Sequence, residues 1–396
     1  MTEAAAVPER ESVPPAPAPR WKTNLVLFLA TAASVLVTGV YYHPATEGAP
    51  PWNQSLAAAF HPNGALYRGG QFALTILIIL VAHELGHYVM ARLHKVDASL
   101  PYFIPLPILS PFGTMGAVIR MRGTIPTRRA LLDIGASGPI AGLCFAVPLY
   151  IYGATHSHLV PISGPGEGTQ LGESILMKIL DHFFAPAQVE GMDLELSPIA
   201  FGAWGGFFVT MINLIPVGQL DGGHVAYSLF GPKQDRYAQF IHRSMLVFFF
   251  VNVFAHVARD LAGGLGLYFL GRHLGNSLFW LVWFQVLAIL GTLSSKNGSD
   301  PKPGTLTIRT RAAALIGLVV LASIAHDNRS ALLPLAFFAG LGMLLAMEVR
   351  GGVLRRHDLL DHPATAAAPL DRGRALVAVL TLLVFVLLFM PQPFSM

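Results

Sequence analysis

Apolar residues gather into nine stretches, at 23–42, 70–92, 131–153, 198–229, 244–262, 277–294, 311–326, 331–348 and 374–391, separated by more polar segments. At 1.5 Å per helical residue, such stretches reach across roughly 30 Å of hydrocarbon. The fourth is interrupted near Pro216, and the fifth is the weakest, closed by Arg259 and Asp260 ahead of a glycine-rich piece. The pattern predicts an all-α polytopic membrane protein with about nine transmembrane helices. One segment breaks the alternation of span and loop. Leu100 to Thr127 is too apolar for an ordinary loop and, with Pro101, Pro105, Pro107 and Pro111, too rich in proline for a helix. From Gly116 to Arg122 the side chains alternate, with Ala117, Ile119 and Met121 on one side and Val118, Arg120 and Arg122 on the other. That alternation predicts a membrane-dipping β-hairpin or strand between helices two and three. A loop that merely plugs the bundle is the competing reading.

Composition turns this pattern into an exclusion. Of 396 residues, 53% are hydrophobic and 12% charged, which cannot clothe a soluble exterior, so lipid is the solvent for much of the chain. The net charge of +4 does not indicate nucleic acid, because the basic residues are scattered over short segments rather than built into one face. With every stretch crossing and the amino terminus inside, 21 Lys and Arg fall on cytoplasmic segments and 5 outside. This asymmetry predicts a multi-pass protein of the cell (inner) membrane with a cytoplasmic amino terminus and an external carboxyl terminus. The proline- and alanine-rich start, with Glu3, Glu9 and Glu11, fits neither a secretory signal nor a transit peptide. The expected organisation is a disordered cytoplasmic tail over 1–22, a first helix with its external loop over 23–67, a catalytic membrane core over 68–235, and additional transmembrane helices over 236–396. The external segment 154–197 is too short for an enzyme domain, so any chemistry lies in the membrane. Cys144 is the only cysteine, which excludes an internal disulfide and any multi-thiolate metal site.

Within the second stretch the chain reads His83-Glu84-Leu85-Gly86-His87. Two histidines four apart project from nearly the same helix face and can reach one cation, and the Glu beside the first is close enough to hold an activated water. Polar groups in mid-membrane are costly and tend to be functional, so three of them within five residues point to a zinc hydrolase site rather than to packed core histidines. A catalytic zinc usually takes three protein ligands. The third is sought in the broken fourth stretch, Asn213 to His224, where Pro216 and the glycines interrupt the helix. Asp221 is preferred, because a buried unpaired carboxylate needs a cation most; His224 competes. His83 lies nine residues before Arg92 and Asp221 twelve before Lys233, depths of roughly 12 to 18 Å that allow them to meet. Gly138 and Gly142 form a small-residue face suited to close helix packing, and His94 reads as a solvated residue near the surface.

These segments, with Ser99 to Pro105, Pro111 to Ala117, Gly135 to Gly142 and the closing Pro391-Gln392-Pro393-Phe394, resemble the site-2 protease family of intramembrane zinc metalloproteases. They look most like the branch that contains the plastid gravitropism-related proteases and bacterial relatives, without a PDZ-like insertion. The resemblance implies one zinc per chain held by His83, His87 and Asp221, Glu84 as general base, and Asn213 on the substrate or its developing oxyanion. It implies transmembrane protein substrates, reached within the lipid bilayer. A transmembrane helix must be unwound before hydrolysis, so the strand at Gly116, Ala117, Val118 and Ile119 is expected to bind the substrate as an added strand. Two other classes remain. A metal-ion transporter also gathers His and Asp at broken helices but has no need of Glu84, and a noncatalytic helix-binding relative has no need of the base or a full ligand set.

Overall fold

The computed structural model describes residues 21–42, 55–61, 64–107, 110–122, 125–161, 170–264, 266–267, 270–294, 306–326, 332–355, 360–362, 365 and 368–395. The amino-terminal tail expected to be disordered lies outside the described residues up to Arg20. Helix α1 (Trp21–Tyr42) is followed by the short α2 (Leu56–Phe60) and by α3 (Ala65–Leu93), which carries the His-Glu-His run. Strands β1 (Asp97–Ala98), β2 (Tyr102–Pro105), β3 (Thr114–Val118) and β4 (Met121–Arg122) lead to α4 (Arg128–Thr155). The segment up to residue 197 holds β5 (His158–Pro161), β6 (Gln170–Leu171), α5 (Ile175–Phe184) and β7 (Met192–Glu195). Helices α6 (Pro198–Asn213), α7 (Asp221–Phe230) and α8 (Gln234–Ala262) follow, then α9 (Leu270–Ser294), α10 (Ile308–His326), α11 (Leu332–Gly351), α12 (Arg372–Leu388) and the terminal β8 (Phe394–Ser395).

Among the described residues, seven helical segments are long and apolar enough to cross a membrane: α1, α3, α4, α7 continued through a 3-10 turn into α8, α9, α10 and α11. The protein is a multi-pass membrane protein. Helix α6 is apolar but has 16 residues, and α12 has 17. The fourth apolar stretch is resolved into α6 and α7 on either side of a break at 214–220. The fifth, weakest in the sequence, is an unbroken 29-residue helix. Its terminal charge is matched, because Asp260 Oδ2 accepts from His273 Nε2 of α9 at 2.6 Å.

Among the described residues the strands form four two-stranded antiparallel sheets, one of them the hairpin β2–β3 between α3 and α4. The strand is shorter than the alternation implies. It runs from Thr114 to Val118, and Ile119 leaves it to pack with Ala91, Val96, Ala98 and Ile134. Met121 and Arg122 pair instead with Ala98 and Asp97. Helix α1 steadies the hairpin from one side: Asn24 Nδ2 donates to the Leu100 and Pro101 carbonyls at 2.9 and 2.8 Å, and Ser34 Oγ donates to the Gly113 carbonyl. The aromatic centre of the core is Trp204 on α6, stacked between Phe201 and Phe208. The chain's end locks onto this core. Phe394 meets Trp204 edge-on, β8 pairs with β6, and the Pro391 carbonyl accepts from Trp280 Nε1 at 2.6 Å.

Arg311, one of the basic residues assigned to the cytoplasm, is fully buried. Its guanidinium forms a two-pronged pair with Glu348 of α11 at 2.8 and 3.0 Å and donates to Thr292 of α9. A buried charge is tolerated only with such a partner, and here it ties three helices together.

Candidate metal centre

Helix α3 presents His83, Glu84 and His87 inward, 4, 5 and 7% exposed respectively. The i, i+4 spacing brings the two imidazoles together as expected from helical geometry, with His83 Nε2 and His87 Nε2 3.2 Å apart. Asp221 opens α7 directly after the break, and its Oδ2 lies 3.3 Å from His83 Nε2 and 3.2 Å from His87 Nε2. One ligand atom from each of the three residues falls within 4.8 Å of the others, the only such group among the described residues.

The imidazoles are seated by glycines. An added Cβ at Gly138 of α4 would collide with the Nε2 edge of the His87 ring, and one at Gly142 would touch His83 at 3.4 Å. The small-residue face of α4 is thus a packing surface whose partners are the two histidines themselves. His87 Nδ1 lies 2.8 Å from the Ile134 carbonyl. A carbonyl only accepts, so Nδ1 is the donor and neutral His87 turns a lone pair at Nε2 toward Asp221. Three such atoms this close need a proton or a metal cation among them, and two nitrogens with one carboxylate oxygen are a donor set that suits a divalent transition metal.

Glu84 is buried beside the trio and within electrostatic range of all three of its members. Asn213, the last residue of α6, brings Nδ2 to 3.1 Å from His83 Nε2. Gly116 of β3 shares with His83 the wall of a cavity of about 30 Å³, together with Thr114, Phe112 and Thr210. Its φ of +95° is one that only glycine adopts easily. Ala117 and Val118 stand in the hairpin opposite Phe103 and Tyr102, whereas Ile119 lies beyond it. His224 is turned away from the trio, its Nδ1 2.7 Å from His362 Nε2. His94 is not simply solvated: it is half-buried and its Nε2 lies 2.9 Å from Asp133 Oδ2. Sequence reasoning missed His362 and Asp133. Asp133, in the first turns of α4 and also bonded by Arg374 at 3.3 Å, could have been found as an acid inside an apolar stretch. His362 carries no such signal.

A His-Glu-His helix facing an Asp at a helix break, among helices long and apolar enough to cross a membrane, is an arrangement suited to metal-assisted hydrolysis. Residues 71–252 of the chain match Peptidase family M50. Among its relatives is "Probable zinc metalloprotease EGY2, chloroplastic" of Arabidopsis thaliana, 32% identical over 188 residues, 46% of this chain and 33% of the relative. "Probable zinc metalloprotease EGY1, chloroplastic" of Oryza sativa subsp. japonica is 27% identical over 246 residues, 56% of this chain and 40% of the relative. The chain thus spans about a third to two fifths of the length of these relatives. No solved structure matches the chain.

Proposed function

We propose that the protein is an intramembrane zinc metalloprotease that hydrolyses peptide bonds within or near the transmembrane segments of other membrane proteins. The observation that carries this reading is the convergence of His83, His87 and Asp221 beside a buried Glu84, within the residues that match Peptidase family M50. His83, His87 and Asp221 would hold one zinc per chain. When bound, zinc supplies Lewis acidity, lowering the pKa of a water toward about 7 and polarising a peptide carbonyl. Glu84 takes the proton from that water and returns it to the leaving amine. Asn213 donates to the substrate carbonyl oxygen as charge develops on it. Strand β3, from Gly116 to Val118, pairs with an unwound stretch of substrate and exchanges the substrate's helical hydrogen bonds for intermolecular ones.

The same reading has nine crossings: α1, α3, α4, α6 continued past the break into α7, α8, α9, α10, α11 and α12. At about 26 Å α12 is short, and it needs the protein around it to complete the passage. The hairpin dips into the bilayer, the amino terminus is cytoplasmic and the carboxyl terminus external, in a cell membrane. Residues 68–235 are the catalytic core, flanked by the tail, the first helix and the later helices in the divisions read from the sequence.

The decisive experiment compares membrane-protein fragments in cells carrying wild type or Glu84→Gln, with zinc content measured on the purified proteins. Loss of fragments with zinc retained is expected. Fragments that persist in the variant would refute a proteolytic role for Glu84, and altered metal flux with no change in any fragment would favour a transporter.

A further inference from the structure

One helical turn beyond Asp221, a part-buried pair of histidines joins distant parts of the chain. His224 Nδ1 lies 2.7 Å from His362 Nε2, across 138 residues of sequence. His362 lies between α11 and α12, outside the 71–252 match. It is buried, and its backbone N–H donates to Asp235 Oδ1 in the first turn of α8 at 3.1 Å. Its ring stacks on Tyr227 of α7 at 4.3 Å and 22°. His362 therefore grips α7 at two successive turns and α8 at its start. On the opposite side His224 is walled by α4, since a Cβ added at Gly135 would approach His224 Cβ to 2.8 Å. Gly135 adjoins Ile134, whose carbonyl holds His87.

Asp221 has need of such a grip. It is the first residue of α7, it follows a seven-residue break at 214–220, and Leu220 before it provides no side-chain cap. A carboxylate on the first residue of a helix has no preceding helical turn to hold it, and a shift of about 1 Å is enough to spoil a site. The His224 N–H donates to the Leu220 carbonyl at 3.0 Å, so the first turn is closed and His224 and Asp221 move as one body.

We propose that His362 is a positioning residue which, through its bond to His224, fixes the first turn of α7 and with it the carboxylate of Asp221. This rests on Asp221 being a metal ligand. It makes a segment remote in sequence part of the support of the metal centre.

The test uses the purified full chain loaded with zinc, and reads zinc release to a chelator alongside the melting temperature. Asp221→Ala is expected to lose zinc. His362→Ala is expected to release it roughly tenfold faster, the scale at which residues supporting metal ligands act. His362→Gln, whose amide can reach the same nitrogen, restores slow release, and Tyr227→Leu, which removes the stack and leaves the bond, keeps it slow. His224→Ala matches His362→Ala, and the double variant is no faster than either, because both break one connection. Wild-type release from His362→Ala overturns the proposal, as do single effects that multiply in the double variant. A lowered melting temperature with unchanged release overturns it too, since His362 would then only stabilise the fold. Zinc retained by Asp221→Ala would overturn the ligand assignment, and this inference with it.

Discussion

Gly138 is the residue on which the position of His87 depends most directly. A Cβ there would collide with the Nε2 edge of the ring, so Gly138→Ala is expected to push the imidazole off the Ile134 carbonyl and weaken zinc retention by roughly tenfold or more. Gly142→Ala, at an ordinary contact distance of 3.4 Å from His83, is expected to be mild; metal analysis of the two purified variants compares them. The same analysis separates the two candidates for third ligand. Asp221→Ala should lose zinc, whereas His224→Ala should still bind it stoichiometrically when zinc is in excess; the opposite pair of results would transfer the role to His224. At this scale the sequence was most informative where chemistry and spacing coincide. His83, Glu84 and His87 are visible because three polar groups on an apolar helix cost too much in lipid to be there for packing alone. Asp221 follows from a broken helix that needs a reason. His362 is hidden because its partner lies 138 residues away and its neighbours are the arginines and aspartates of an ordinary connecting segment. The pairing of Arg311 is hidden for a related reason: a basic residue at the start of an apolar stretch gives no sign of the Glu348 that lies beside it, 37 residues on.

The hairpin is the element whose function the geometry constrains most. Strand β3 has β2 on one edge, and among the described residues no other strand pairs with it. Val118 is 54% exposed, so Val118→Ala is expected to have little effect, while Val118→Pro removes a backbone donor and should abolish most cleavage with zinc content unchanged. Equal losses from both would point to side-chain packing, and no loss from either would reduce the hairpin to a plug. Periodicity announced a strand here but overran its end. Alternation reports which side a residue faces, not which neighbour it pairs with, and Ile119 keeps the rhythm while joining the cluster around Val96 and Ala98. The length of α8 was legible in hydropathy and obscured by Arg259 and Asp260, because a charge lowers the apparent quality of a span until its partner, here His273, is known.

For the whole molecule, the excess of Lys and Arg on alternate segments gives the topology a direct test. Cysteines introduced at the exposed Lys95 and Lys233, with Cys144 replaced, should react with a membrane-impermeant reagent only from the cytoplasmic side; reaction from outside would invert the arrangement. Architecture was legible at the level of spans because lipid demands it residue by residue, whereas the order in which helices pack was not, since hydropathy is blind to neighbours. The docking of Pro391 and Phe394 against Trp280 and Trp204 sets a timetable for biosynthesis. A ribosome adding about 5–20 residues per second delivers Pro391 long after the His-Glu-His helix has entered the bilayer. During that interval the nascent protein has its His-Glu-His run in the membrane but not yet the terminal segment that packs against Trp204 and Trp280, so the core around α6 closes only when the last residues arrive.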